Sequence, residues 1–171
     1  MSVALPTIEP SVFVAVPRVW EKFKAGLEVK IEENPKKDLI AKAIANGLEK
    51  VDYQKKGETV TIMVNLKDKL FAKLVFSKFK EGLGIVDTEY FVTAAAPMNR
   101  DVHRWFHAIG IDVTEIYGMT EDTGPATIGV PGNAVESFTK RLKADSIEIP
   151  SVLNPIGKVG IPIPGTEVKV C

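Results

Sequence analysis

Apolar residues along this chain recur in two rhythms, short continuous runs and longer stretches spaced three and four apart. Ser11-Val12-Phe13-Val14-Ala15-Val16 is an almost unbroken apolar run closed by Pro17. A strand buried on both faces of a parallel sheet reads this way. Trp20, Phe23, Leu27 and Ile31 then fall near one helical stripe. Asn34-Pro35 ends it, because proline lacks an amide donor and turns the preceding residue away from helix. Ile40, Ile44, Leu48 and Val51 mark one face of a second helix, which Gly57 breaks. Thr59 to Val64 is β-branched and predicts a short strand. Beyond it, Leu66, Leu70, Phe71, Leu74, Val75, Phe79 and Leu83 form a broad helical stripe, interleaved with Lys67, Lys69, Lys73, Lys78 and Lys80. The pattern predicts a core-facing helix with its lysines in water. A basic amphipathic helix against a membrane or a partner is the rival reading.

The stretch from Tyr90 to Glu121 is the most informative. Glu89 to Thr93 reads as a strand that runs into Ala94-Ala95-Ala96-Pro97. Asn99 is placed to cap a helix with Val102, Trp105, Phe106 and Ile109 on its apolar side, and Gly110 ends it. Val113 to Ile116 is a second strand, followed by Tyr117-Gly118. Strand, helix and strand at this spacing predict a parallel βαβ unit. Ligands in open parallel sheets bind beyond the carboxyl ends of the strands, where both Ala94–Pro97 and Tyr117–Glu121 emerge. Gly, Pro and Thr dominate from there to Asn133. Ala134 to Lys143 predicts a short helix with Phe138 and Leu142 on one side, Pro150 to Pro164 is turn-rich, and Thr166 to Val170 alternates like a strand. The fold class is α/β, a parallel-rich sheet flanked by helices.

Composition narrows the function little. The chain has 171 residues, with 45% hydrophobic and 26% charged, the profile of one soluble globular domain. Basic and acidic residues both number 22, so no global field favours nucleic acid or an anionic surface. The one cysteine, Cys171, allows no internal disulfide, which suits a reducing compartment. No apolar run reaches the ~20 residues of a membrane helix, and the start has no secretory pattern. The expectation is a cytoplasmic chain, free or peripheral on a membrane face.

Tyr117-Gly118-Met119-Thr120-Glu121 carries the candidate chemistry. Tyr117 offers a flat face, and stacking a base on one contributes on the order of 1–3 kcal/mol. Gly118 lets the backbone turn and approach a ligand. The Thr120 hydroxyl can bond a phosphate oxygen, and Glu121 is an oxygen ligand of the kind magnesium takes beside nucleotide phosphates. The plainer reading is a strand-exit turn with Tyr117 packed and Glu121 solvated.

That run, the upstream Thr93-Ala94-Ala95-Ala96-Pro97 and the downstream Gly157-Lys158-Val159-Gly160-Ile161-Pro162-Ile163-Pro164-Gly165 resemble the AMP-forming, adenylate-forming enzymes, in matching order and spacing. Val16-Pro17-Arg18-Val19-Trp20-Glu21-Lys22 and Lys73-Leu74-Val75-Phe76-Ser77-Lys78 look like the long-chain fatty acyl-CoA synthetases among them. Tyr117 to Pro125 is most similar to their bubblegum-like branch. The resemblance implies a two-step ligation of a long-chain fatty acid to CoA, through acyl-AMP, with ATP and CoA as co-substrates and Mg²⁺ as cofactor. It places Ala95, Ala96 and Pro97 along the adenine, Glu115 and Ile116 beside the nucleotide, and Tyr117 stacked on the base, with Gly118 and Met119 in the same binding run. Thr120 would contact the α-phosphate and Glu121 would hold Mg²⁺, the two residues nearest the chemistry. Residues 1–156 would form part of the α/β AMP-binding domain and 157–171 the start of a β subdomain.

The sequence departs from the family in three respects. Ala94 stands where a glycine is usual, and about twenty extra residues lie between Gly124 and Lys158. The family's phosphate loop lies upstream of the region matched here, and its ribose-binding Asp and C-terminal catalytic Lys lie downstream. The expectation is therefore an internal fragment, inactive alone; the alternative is a non-catalytic relative that binds nucleotide, acyl chain or partner. Other constellations are weaker. His103 and His107 have zinc-pair spacing, but Arg104 follows the first and no third ligand is evident, so hydrogen-bonded histidines are expected. Gly157, Gly160 and Gly165 lack the strand-to-helix context of a dinucleotide loop. Cys171 has nothing fixed around it to make a nucleophile.

Overall fold

The computed structural model describes residues 5–130 and 156–169. The expected helix from Ala134 to Lys143, the residues around Pro150 and the terminal Cys171 lie outside them. A short helix α1 (Leu5–Ile8) precedes strand β1 (Val12–Ala15), which feeds α2 (Pro17–Glu32). Pro17 sits at the start of α2, where its fixed φ suits the first turn and its missing donor costs nothing. After the break at Asn34-Pro35 comes α3 (Lys37–Lys56), closed by Gly57 in the left-handed conformation at φ 70°.

The next segment corrects the sequence reading. Thr59–Val64 is not a strand: α4 (Ile62–Phe71) begins inside it, with Thr61 extended at the boundary. A wider helical turn (Ala72–Phe76) leads directly into α5 (Ser77–Leu83), so the chain is helical from Ile62 to Leu83. The β-branched residues are too few to outweigh the helical period that follows, and Val64 is drawn into the core as the helix's buried contact.

Strands β2 (Tyr90–Thr93) and β3 (Val113–Met119) flank α6 (Arg100–Ala108), and all three strands β1, β2 and β3 run parallel. The βαβ unit is present as expected. Two antiparallel strands, β4 (Gly124–Ile128) and β5 (Ile161–Pro162), complete a mixed five-stranded sheet in the order β1-β2-β3-β4-β5. Thr166 to Lys169, expected as strand, is irregular.

Register explains where the core lies. Phe13, Phe91 and Val113 align across β1, β2 and β3 and join one continuous apolar cluster with Trp20, Leu27, Ile40, Val75, Phe76 and Phe106. Trp20 is its centre, fully buried, with its ring edge-on to Phe13 at 5.3 Å and to Phe106 at 5.1 Å. Edge-on pairs suit the aromatic quadrupole. The opposite face of β1 is not covered, contrary to the expectation of a doubly buried strand. Val12 is 53% and Val14 61% exposed, because the helices that share this core pack on the Phe13 side.

Candidate functional site

The two stretches singled out by sequence meet at the carboxyl end of the parallel strands. Thr93 pairs with Glu115, so the chain from Ala94 to Pro97 leaves the sheet beside Ile116 and Tyr117. Ala95 adopts φ 72°, a left-handed conformation that costs a residue with a Cβ roughly 1–2 kcal/mol. The loop is fastened on both sides of this strain. Upstream, Thr93 is locked in the sheet. Downstream, the Met98 N–H donates to Glu115 Oε1 at 3.0 Å, and Asn99 Oδ1 accepts from the N–H groups of Asp101 and Val102 to cap α6. Ala95, Ala96 and Pro97 are left exposed.

Beneath the loop lies a buried polar cluster that sequence reasoning did not assemble. Glu115 is almost fully buried; its Oε2 faces His103 Nδ1 at 3.6 Å, and neither atom has a hydrogen-bond partner among the described residues. His103 Nε2 donates to the Val113 carbonyl at 2.6 Å, and His107 Nε2 donates to the same oxygen at 3.0 Å. The two histidines are thus hydrogen-bonded, as expected, and their work is to tie α6 to β3. Burial, and then the neighbouring His107, pull the His103 pKa from 6.5 down to about 4. The available signal was a single acidic residue inside an otherwise uncharged strand, Val113-Thr114-Glu115-Ile116.

Tyr117-Gly118 is not the turn that the sequence suggested. β3 continues to Met119, then a single tight helical turn (Thr120–Asp122) and Thr123 at φ 62° reverse the chain into β4. Gly118 serves this hairpin: a Cβ there would lie 2.1 Å from the Gly124 carbonyl oxygen. The pairing register shifts between Tyr117 and Gly118, a bulge that re-aims the side chains around it. Tyr117 is 48% exposed, which removes the plainer reading of a packed tyrosine. Thr120 and Glu121 sit exposed at the hairpin tip, with Asp122 beside them.

No cluster of three or more His, Cys, Asp or Glu side chains able to hold a metal occurs among the described residues. A magnesium held largely by nucleotide phosphates needs only one or two protein carboxylates, and the exposed Glu121 is compatible with that role. A cavity of about 540 Å³ beside α3 is lined by Asp52, Tyr53 and Arg104 among others, none of them a candidate site residue.

Comparison with known proteins decides the family. Residues 3–171 match the family described as AMP-binding enzyme. The chain belongs to the AMP-binding enzymes. Among curated relatives, it is 35% identical over 126 residues to the rat long-chain-fatty-acid–CoA ligase ACSBG2, covering 72% of this chain and 18% of that protein. It is 33% identical over 134 residues to the Mycobacterium tuberculosis protein named as fatty-acid–CoA ligase fadD11, covering 77% and 24%. It is 28% identical over 169 residues to the Arabidopsis thaliana long chain acyl-CoA synthetase 4, covering 97% and 21%. The chain therefore spans about a quarter or less of the length of these relatives. No solved structure matches it significantly.

Proposed function

We propose that this chain supplies the adenine and α-phosphate side of the nucleotide site in an AMP-forming long-chain fatty acid–CoA ligase. The observation that carries the reading is the Glu115 bond to the Met98 N–H, which fixes the Ala95–Pro97 loop against the strand bearing Tyr117. On this reading the exposed loop backbone lines the adenine, Tyr117 stacks on it, Ile116 flanks the nucleotide with Glu115 buried beneath it as support, and Gly118 and Met119 shape the hairpin edge. Thr120 donates a hydrogen bond to an α-phosphate oxygen. Glu121 holds Mg²⁺, whose positive charge neutralises charge on the phosphates. ATP, a long-chain fatty acid and CoA are the substrates of the whole enzyme. Residues 157 onward begin a β subdomain, of which β5 is the first strand, and the protein works in the cytosol, free or against a membrane face.

Calorimetry with AMP and Mg²⁺ tests the site. Tyr117→Ala is expected to weaken AMP binding by roughly 1–3 kcal/mol, about five- to 150-fold, with little change in unfolding because the ring is half exposed. Heat from neither protein would defeat the nucleotide reading and leave a scaffold. By resemblance, the groups that cradle the β- and γ-phosphates are not among these 171 residues. Acyl-AMP formation by the purified chain is therefore expected to be undetectable, and detecting it would refute that part.

A further inference from the structure

The helical stretch from Ile62 to Leu83 departs most from its sequence expectation, and its exposed side carries a surface of definite chemistry. Val64, Val75 and Phe76 are buried, and Phe71, Phe79 and Leu83 pack against the core. The rest of the stripe turns outward: Ile62, Met63, Leu66, Leu70 and Leu74 are each between 54 and 87% exposed. Ile62, Leu66, Leu70 and Leu74 are spaced four apart and fall on one face. The helix is held in this orientation from behind. Asn46 Nδ2 donates to the Val64 carbonyl at 3.2 Å, and Lys50 pairs with Asp68 at 2.6 Å.

Charge around the stripe has one sign. Lys67, Lys69, Lys73 and Lys78 are exposed. At 100° per residue, Lys67 borders one margin of the α4 stripe and Lys69 the other. Asp68 is the only acid from Ile62 to Lys80, and it lies on the far side, engaged by Lys50. Lys80 is apart from this set: half-buried, it sits 5.9 Å over the Phe91 ring, and burial lowers its pKa.

The geometry points to an anionic lipid bilayer as the occupant of this face, with Ile62, Met63, Leu66, Leu70 and Leu74 entering the boundary between headgroups and acyl chains. Flanking lysines bury their stems and keep their ammonium groups at the level of the lipid phosphates. A second copy of the chain is a worse partner, since a two-fold contact through this face would set lysines against the same lysines. The assignment deepens the peripheral placement proposed above and does not depend on the nucleotide site.

Flotation of the full 171-residue chain with vesicles tests it, using pure phosphatidylcholine and a 4:1 mixture with phosphatidylserine. The chain is expected to float with the mixed vesicles and to be released by raised salt. Leu66→Glu/Leu70→Glu should cut binding at least tenfold, while Lys67→Gln/Lys69→Gln/Lys73→Gln should abolish the preference for the anionic lipid. These positions are exposed, so far-ultraviolet circular dichroism should show both variants folded. Val12→Ser/Val14→Ser, on the open face of β1, should bind like the parent. If the parent fails to float, both the peripheral placement and this surface are wrong. If it floats and the leucine variant floats equally, the placement survives and the assignment to this helix is overturned. Loss of self-association in the leucine variant without any vesicle binding by the parent would also overturn it, in favour of a chain-to-chain contact.

Discussion

His103 is the residue whose environment does most to set the behaviour of the site. Fully buried and held neutral, it resists protonation until about pH 4, whereas the unfolded chain takes up that proton near 6.5. The native pKa is the lower one. Its contribution to stability is thus fully present above pH 6.5, declines as the pH falls, and is gone below about 4. The lowering corresponds to about 3 kcal/mol. Urea unfolding across pH 7 to 4 is expected to show a loss of that order, and His103→Gln should flatten most of it while costing stability at pH 7. An unchanged slope in the variant would assign the acid sensitivity to other groups. Glu115 gives a second test at this scale. Glu115→Gln retains an acceptor for the Met98 N–H, whereas Glu115→Leu leaves that buried donor unpaired, at a cost of about 1–3 kcal/mol. Thermal unfolding should therefore separate the two substitutions, and AMP binding should fall in the leucine variant more than in the glutamine one. The sequence marked Glu115 as a site residue but could not show that its carboxylate points inward, because side-chain direction depends on where α6 lies.

At the scale of elements, the helices and parallel strands were legible because their signals are local. Pro17 and Asn99 start helices, Gly57 and Gly110 end them, and the stripes at Trp20 and Ile40 mark their inner faces. The failures came where a local signal was weak or two signals competed. Thr59 to Val64 favoured strand by composition, but helix formation propagates once a nucleus exists, and the pattern from Leu66 onward extends back to Ile62. The hairpin of β3 and β4 was missed because Gly124-Pro125-Ala126-Thr127-Ile128 offers little alternation; pairing with β3 makes it a strand. Close helix packing gives a prediction here. Gly47 of α3 lies against α6, where a Cβ would stand 1.9 Å from the Ala108 carbonyl oxygen. Alanine's better helix propensity would contribute about 1 kcal/mol, less than the cost of forcing the two backbones apart. Gly47→Ala is expected to destabilise by a net amount on the order of 2 kcal/mol, read from the urea midpoint; a stabilised variant would mean that the helices do not cross so closely.

At the scale of the molecule, apolar surface is exposed among the described residues on the β1 face at Val12 and Val14 and along the outer stripe of α4. Its formal net charge is zero and its isoelectric point about 6.7. A chain without net charge has little electrostatic protection against association through such patches. Light scattering of the purified chain is expected to peak near pH 6.7 and to fall on either side, and Val12→Ser/Val14→Ser should lower the peak. Scattering independent of pH would show that charge is not the controlling term. No helix among the described residues is long and apolar enough to cross a membrane. What the sequence alone determined was the family, the α/β class, the βαβ unit and the identity of the candidate site residues, because motifs, caps and periodicity are written in neighbouring positions. The tertiary structure alone decided which half of the lysine-flanked stripe is buried and that one face of β1 lies open. It also showed that Glu115 and His103 meet under the loop, and that Gly118 serves a hairpin. Each of these depends on what packs against a residue from far along the chain, and periodicity records a face without naming its neighbour.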